Sequence, residues 1–181
     1  AHQAGLQPWI AFYNKTLVND KPDTAIYSTQ KKEGFTLEVA PNLYMKNTYV
    51  ATMYEDLLQS PLAEKQYKYS DLSYYFFKAI AEEHYRKPLD EITKEMFFAP
   101  LGAGTLGYKP LQNISLNRIP PTEVDNYFRF TTVQGTVHDQ GAAMLGGVGG
   151  HAGLFANAQD LAKLMQMYLN FGQYGGVQFI D

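Results

Sequence analysis

The stretch "KYSDLSYYFF", Lys68 to Phe77, places a tyrosine, a serine and an aspartate directly ahead of an aromatic-rich apolar run. Leu72, Tyr75, Phe76, Ala79 and Ile80 follow the i, i+3, i+4, i+7, i+8 spacing that one helix face buries, so a helix is predicted over Leu72 to Glu83. Serine and aspartate oxygens accept hydrogen bonds from the unpaired N–H groups of a first turn, which makes Ser70 or Asp71 the expected cap. Taken alone, Tyr69-Ser70-Asp71 is an ordinary helix start. Its surroundings decide whether it is also a chemical site.

Outward from this segment, "NAQDLAKLMQMYLNFG" repeats the helical stripe with Leu161, Leu164, Met165, Tyr168 and Leu169. Asn157 followed three residues later by Asp160 marks its start, and Gly172 its stop. Between the two, "KPLDEITKEMFFAPLG" predicts a shorter helix from about Pro88 that buries Leu89, Ile92, Met96 and Phe97 and is broken by Pro100 and Gly102. A further helix is expected around Thr48 to Leu58. Strand signals are short: Gly34 to Ala40 alternates, and Tyr127 to Val137 is β-branched and aromatic enough for one or two strands. The fold class expected is α+β, predominantly helical, in one unit over residues 1–181.

A hydrophobic share of 45% and an aromatic share of 14% over 181 residues describe a chain that buries a core rather than a disordered one. The formal net charge of −3, with no local cluster of lysine and arginine, argues against nucleic acid or an anionic membrane as partner. Without cysteine there is no disulfide, thiolate metal site or cysteine nucleophile, so a nucleophile would be an oxygen or an amine. No apolar run approaches the roughly 18 residues that span a bilayer. The start, "AHQAGLQPWIAFYNK", has neither an initiator methionine nor the pattern of a secretion signal, which reads as a mature, trimmed or truncated product.

Several segments then share one order: "HQAGL" at His2, "YSD" at Tyr69, "KPLDEITKEMFFAPLG", "RIPPTEVD" at Arg118, "VHDQGAAMLGGVGGHAGLF" at Val137, and the helix after Asn157. This order resembles the serine β-lactamase-like hydrolases. The nearest branch holds esterases, penicillin-binding-protein-like peptidases and the modules fused behind glycoside hydrolase family 3 β-N-acetylglucosaminidases. The resemblance implies an acyl-enzyme mechanism on an ester, amide or D-amino-acid peptide. A Ser-x-x-Lys supplies the nucleophile, a Tyr-x-Asn loop a phenol that relays its proton, and a Lys-Thr-Gly or His-Thr-Gly strand completes the substrate site. It makes Tyr69 the relay and Asp71, where the family usually has asparagine, a second catalytic group. Ser70 and His151 are the expected substrate-binding residues. It also implies a peptidoglycan-derived or other small substrate, a periplasmic or cell-envelope setting, and no cofactor.

The two flanking motifs are not found. The one Ser-x-x-Lys, Ser28 to Lys31, lies in a polar segment after "HQAGL" rather than before it, and reads as a chance match. No Lys-Thr-Gly or His-Thr-Gly occurs, so the chain reads as the middle, mainly helical part of such a domain, inactive by itself. Its partners would be the remaining parts of that domain, or a second copy meeting apolar faces left uncovered. The alternative is a non-catalytic helical binding module in which Tyr69-Ser70-Asp71 only starts a helix. Gly147-Val148-Gly149 lacks the βαβ context of a nucleotide fingerprint. His2, His84, His138 and His151 lack metal-ligand spacing. Asn14 and Asn113 head glycosylation sequons in form only, and Trp9 beside Pro8 either lines a groove or packs.

Overall fold

The computed structural model describes residues 2–180. After a short 3₁₀ turn at Phe12–Thr16, the chain forms β1 (Leu17–Val18), β2 (Lys21–Pro22), β3 (Tyr27–Ser28), β4 (Leu37–Ala40) and β5 (Leu43–Met45). Next come α1 (Tyr49–Leu58), α2 (Leu72–Tyr85) and α3 (Leu89–Thr93), which runs on as a π-helical turn over Lys94–Phe98. Then follow β6 (Glu123–Asp125), β7 (Thr131–Val133), α4 (Gln140–Met144), α5 (Ala158–Leu169), β8 (Gln173–Tyr174) and β9 (Val177–Gln178). β1 and β2 pair, as do β6 and β7, and β8 and β9; β5 lies between β3 and β4, and every pairing is antiparallel. The chain is therefore α+β, with short strands distributed along its whole length.

All four predicted helices form. α1 starts one residue later than expected, and α2 extends two residues further, to a left-handed Arg86 just before Lys87 and Pro88. α5 is started as its sequence indicates, with the Asn157 side chain accepting the Asp160 N–H and Gly172 in the left-handed region at its end. The burial of three helices departs from the expectation. In the "KPLDEITKEMFFAPLG" helix the extra residue of the π turn rotates the apolar face, so that Phe98 is buried and Met96 is 42% exposed.

In α5 the buried positions are Asp160 and Met167, with Leu164 partly covered, while Leu161, Met165, Tyr168 and Leu169 stand out in solvent. Asp160 explains that orientation. Its carboxylate accepts the Thr105 N–H and hydroxyl, each at 2.7 Å, and the Lys163 ammonium at 2.8 Å, which turns this face toward the loop after the π turn. Those contacts push the Asp160 carboxyl down to about 2, the Lys163 hydrogen bond contributing most. On α2, Leu72 and Tyr75 are buried as predicted, whereas Ile80 and Phe77 are exposed.

The strand expectations were also redrawn by side chains. Val39 and Ala40 are both buried because the register between β4 and β5 shifts there, which breaks the alternation. Within Tyr127 to Val137 only Thr131–Val133 is strand. Asp125 Oδ1 captures the N–H groups of Tyr127 and Phe128, at 3.2 and 2.8 Å, and folds residues 126–130 into the turn of the β6–β7 hairpin.

The main core gathers Phe12, Met45, Met53, Leu72, Tyr75 and Phe128 around α4, whose Ala142, Ala143 and Met144 are buried. A smaller core joins the π turn to α5 through Phe98, Leu101, Leu106 and Met167. Two charged side chains, Arg129 and Asp125, are fully enclosed together. The Arg129 guanidinium donates to Asp125 Oδ2 at 2.6 Å, Glu123 Oε1 at 2.9 Å, and the carbonyls of Val137 and His138 at 2.8 and 2.9 Å. Burial acts to raise the Asp125 carboxyl, but the Arg129 hydrogen bond and three backbone N–H groups outweigh it and hold it below the usual carboxylate range.

Replacing Arg129 with leucine leaves the Asp125 carboxylate buried without its charge partner. It should lower stability by about 3–5 kcal/mol, read from the midpoint of urea unfolding. Arg129→Lys keeps the charge but not the planar fork, and should fall between that variant and the parent chain.

Candidate active site

Residues 2–8 form a brace against residues 63–71. Gly5 O accepts the Ala63 N–H at 2.8 Å, His2 O the Lys68 N–H at 2.9 Å, and Pro8 O the Asp71 N–H at 3.1 Å. Gly5 is required here: its φ is +74°, and a Cβ would lie 2.4 Å from the Ala63 oxygen. Two side chains complete the brace. Ser70 Oγ donates to Gln7 O at 2.6 Å, and the Ser70 N–H donates to His2 Nδ1 at 3.3 Å. Contacts with a segment far away in sequence thus set the backbone of Tyr69-Ser70-Asp71.

Within the triplet the work is divided. Ser70 is buried, and its Oγ also accepts the Leu72 N–H at 3.2 Å, so the serine performs the capping that the sequence allowed to either residue. Asp71 occupies the position before α2 without capping it. Its carboxylate turns the other way and accepts the Tyr69 phenol at 2.9 Å. Tyr69 is 59% exposed, with the His2 ring against one side at 4.7 Å between centroids. The Asp71 hydrogen bond, reinforced by its charge, holds the Tyr69 phenol above its ordinary value, so Tyr69 is a neutral donor whose oxygen retains a lone pair for a second hydrogen bond.

Behind the triplet lies a second pair. Asp139 begins α4 by accepting the Ala142 N–H at 2.7 Å, and its Oδ1 also meets His151 Nε2 at 2.9 Å. The His151 side chain is 3% exposed and stacks on Tyr75 of α2, with ring centroids 4.4 Å apart. Its Nδ1 is buried with no hydrogen-bond partner among the described residues. His151 therefore joins the glycine-rich loop to α2 from inside, and its ring is not presented at the surface. Gly150 is the point of closest approach in that loop, where a Cβ would lie 2.2 Å from the Tyr74 carbonyl oxygen.

Burial acts to raise the Asp139 carboxyl, yet the His151 hydrogen bond and the Ala142 N–H, followed by the charges of His151 and Arg129, bring it below the usual range. The sequence motifs assign no role to Asp139. The available signal was an aspartate three residues ahead of Ala142 at the start of a small-residue run.

Ser28 and Lys31 make no catalytic pair. Ser28 Oγ donates to the Gln30 carbonyl at 2.7 Å and accepts the Gln30 N–H at 3.2 Å, a closed local turn at the end of β3. A cavity of about 660 Å³ opens on the other side of Asp139, lined by Ile119, Val137, His138, Leu154 and Phe155 with Arg118 beside them. Among the described residues no group of three or more metal-ligating His, Cys, Asp or Glu side chains converges.

Two measurements follow from this geometry. Asp71→Ala removes both the acceptor and the charge, so the Tyr69 phenol should titrate closer to the ordinary value of about 10, read from tyrosine ring carbons by NMR. Asp139→Asn should destabilise the fold near neutral pH by about 1–3 kcal/mol. A depressed carboxyl contributes stability that is present above its unfolded pKa of about 3.9 and is lost as pH falls through the folded value. The difference between parent and variant should therefore shrink below about pH 4 in acid unfolding curves.

Comparison with known proteins shows the family of the chain. No solved structure matches the chain. A putative D-alanyl-D-alanine carboxypeptidase of Escherichia coli (strain K12) is 38% identical over 125 residues, which is 62% of this chain and 29% of that protein. An N-acetylmuramyl-L-alanine amidase of Bacillus subtilis (strain 168) is 39% identical over 126 residues, 62% of this chain and 28% of that protein. A putative D-alanyl-D-alanine carboxypeptidase of Salmonella schwarzengrund (strain CVM19633) is 34% identical over 146 residues, 72% of this chain and 34% of that protein. The matched part thus spans about a third or less of the length of these relatives. The family model for Beta-lactamase matches residues 1–176, and the chain belongs to that family of serine hydrolases.

Proposed function

We propose that the chain supplies the proton-relay half of a serine hydrolase site that acts through an acyl-enzyme on a peptidoglycan-derived peptide or amide. The observation that carries this reading is the Asp71 carboxylate, which leaves the Leu72 N–H at the start of α2 to Ser70 and takes the Tyr69 phenol instead. A residue needed only to start a helix has no reason to do so.

The chemistry that fits is a two-link proton path. A serine hydroxyl placed against the free lone pair of Tyr69 gives up its proton to the phenol oxygen as its own oxygen bonds to the acyl carbon. Tyr69 passes its proton to Asp71, and the path reverses to protonate the leaving amine or alkoxide. With an anion as its nearest partner, Tyr69 starts as a neutral phenol; a lysine ammonium brought beside it would draw it toward the phenolate. In this reading His151 and Ser70 act on substrate only through the backbone they hold.

Ser28 is bound into its own turn, so the nucleophile and its lysine would come from residues other than those described. The helices would then form the helical subdomain of the domain, and the apolar positions left in solvent on α5 and α2 would be covered by its remaining parts or by a second copy. Bonds to D-alanine and to muramyl-alanine, in the names of the relatives, are the expected substrates and suit a cell-envelope setting. No helix among the described residues is long and apolar enough to cross a membrane.

The test is covalent labelling. This chain, and separately a longer natural protein that contains it, are incubated with a fluorophosphonate or a penicillin and weighed intact. An adduct on the longer protein alone is expected, and Tyr69→Phe should slow its formation by about 10²-fold or more, the usual size of a general acid–base contribution. Labelling of the fragment at Ser28 or Ser70 would overturn the assignment, and no adduct on either protein would favour a non-catalytic module.

A further inference from the structure

His2 meets the triplet segment at three points. Its carbonyl accepts the Lys68 N–H at 2.9 Å, its Nδ1 accepts the Ser70 N–H at 3.3 Å, and its ring lies 4.7 Å from that of Tyr69, at 32° to it. Tyr74 on α2 and Tyr67 place their rings 5.9 and 6.1 Å from the same imidazole, centroid to centroid. The His2 backbone has φ +56°, a left-handed conformation uncommon outside glycine and asparagine, which persists where the surroundings hold it. The carbonyls of His2, Gly5 and Pro8 close the backbone brace without any side chain. What the imidazole adds is an acceptor for Ser70 and a ring against Tyr69.

The protonation state of the ring decides whether it supplies both. As an acceptor Nδ1 must carry its lone pair, so the one proton of the neutral ring sits on Nε2. A second proton turns Nδ1 into a donor facing the donor N–H of Ser70, and the hydrogen bond is lost. The histidine ion pairs among the described residues are those of His138 and His151, so His2 has no carboxylate partner there. The titratable groups that face it are the phenols of Tyr67, Tyr69 and Tyr74. Beyond Tyr69 stands the Asp71 carboxylate, which accepts its phenol at 2.9 Å, and Asp139 acts on Tyr69 through its charge.

We infer that His2 is a proton-sensitive positioning residue for the Tyr69–Asp71 pair: its neutral ring fixes Ser70 and Tyr69 in place, and protonation of the ring releases both. That the pair moves a proton during hydrolysis rests on the reading above; that His2 sets its geometry does not. Once Ser70 is released, the Tyr69 oxygen loses its fixed distance to an incoming hydroxyl. The effect falls on the acylation step, because Tyr69 handles the proton and not the hold on substrate.

Two variants separate the contributions. His2→Asn sets an amide oxygen near the place of Nδ1, suits the left-handed backbone and does not titrate; His2→Phe keeps a ring against Tyr69 and removes the acceptor. In this chain the Ser70 amide and Tyr69 ring signals are followed by NMR from about pH 8 to about pH 5, the span in which an imidazole ordinarily changes charge. In the parent the Ser70 amide proton should move upfield, as on loss of an acceptor, together with the Tyr69 ring and the His2 ring signals. In His2→Asn it should stay still, while His84, His138 and His151 titrate as before. In a longer natural protein that contains the chain, acylation by saturating penicillin should slow about fivefold more on acidification for the parent than for His2→Asn, the equivalent of one hydrogen bond. His2→Phe should show that loss already at neutral pH, with the Kd for the probe unchanged. A Ser70 amide proton that does not follow His2, equal pH dependence in parent and His2→Asn, or parent-like acylation in His2→Phe would each overturn the inference. The NMR titration needs no nucleophile: if the longer protein is not acylated at all, the hydrolase reading falls, and the Ser70 signal by itself then decides the role of His2.

Discussion

The buried guanidinium of Arg129 is the constraint on which the rest of the architecture depends. Its four partners come from the β6–β7 hairpin and from the carbonyls of Val137 and His138, and no solvent reaches it. A charge enclosed in this way must be matched by acceptors at every donor, or its desolvation would cost several kcal/mol. The hairpin and the segment after Val137 therefore hold one geometry relative to each other. That geometry delivers Asp139 to the start of α4, and Asp139 in turn holds His151 against Tyr75 of α2. One ion cluster thereby fixes where α2 begins in space, and with it the triplet at its start.

The triplet is fixed from the other side by the brace of residues 2–8. Between these two supports Ser70 is fully committed to structure, whereas the Tyr69 phenol and the Asp71 carboxylate remain at the surface, paired to each other. A proton relay needs a hydroxyl whose hydrogen has a fixed destination and whose lone pair is unoccupied, and the Tyr69–Asp71 pair meets that description at 2.9 Å.

The helices show how local and long-range forces part company. α5 forms where its stripe and its Asn157 cap predict, yet the stripe is largely not the face that is buried. Helix formation follows from backbone hydrogen bonds and a good start, both set within a few residues. Its rotation about its own axis is set by what lies alongside, here the Asp160 carboxylate drawn to Thr105 and Lys163. The π turn after α3 makes the same point, since one added residue exchanges Met96 for Phe98 in the core.

The sequence by itself determined the helices at Thr48, Leu72, Pro88 and Ala158, the mixed α+β class and the family, because periodic apolar spacing, caps and ordered motifs are local in the chain. It also singled out Tyr69 and Asp71, though it left Ser70 and Asp71 indistinguishable as caps. Only the tertiary structure decided between them, since the choice rests on the carbonyl of Gln7, sixty-three residues away. The same holds for the His151–Asp139 pair, the turn that replaces the expected strand at Tyr127, and the His2 ring set against Tyr69. Each joins side chains brought together by the folded backbone, and hydrogen bonds and ring contacts are settled by distances of a few ångströms that no spacing along the sequence records.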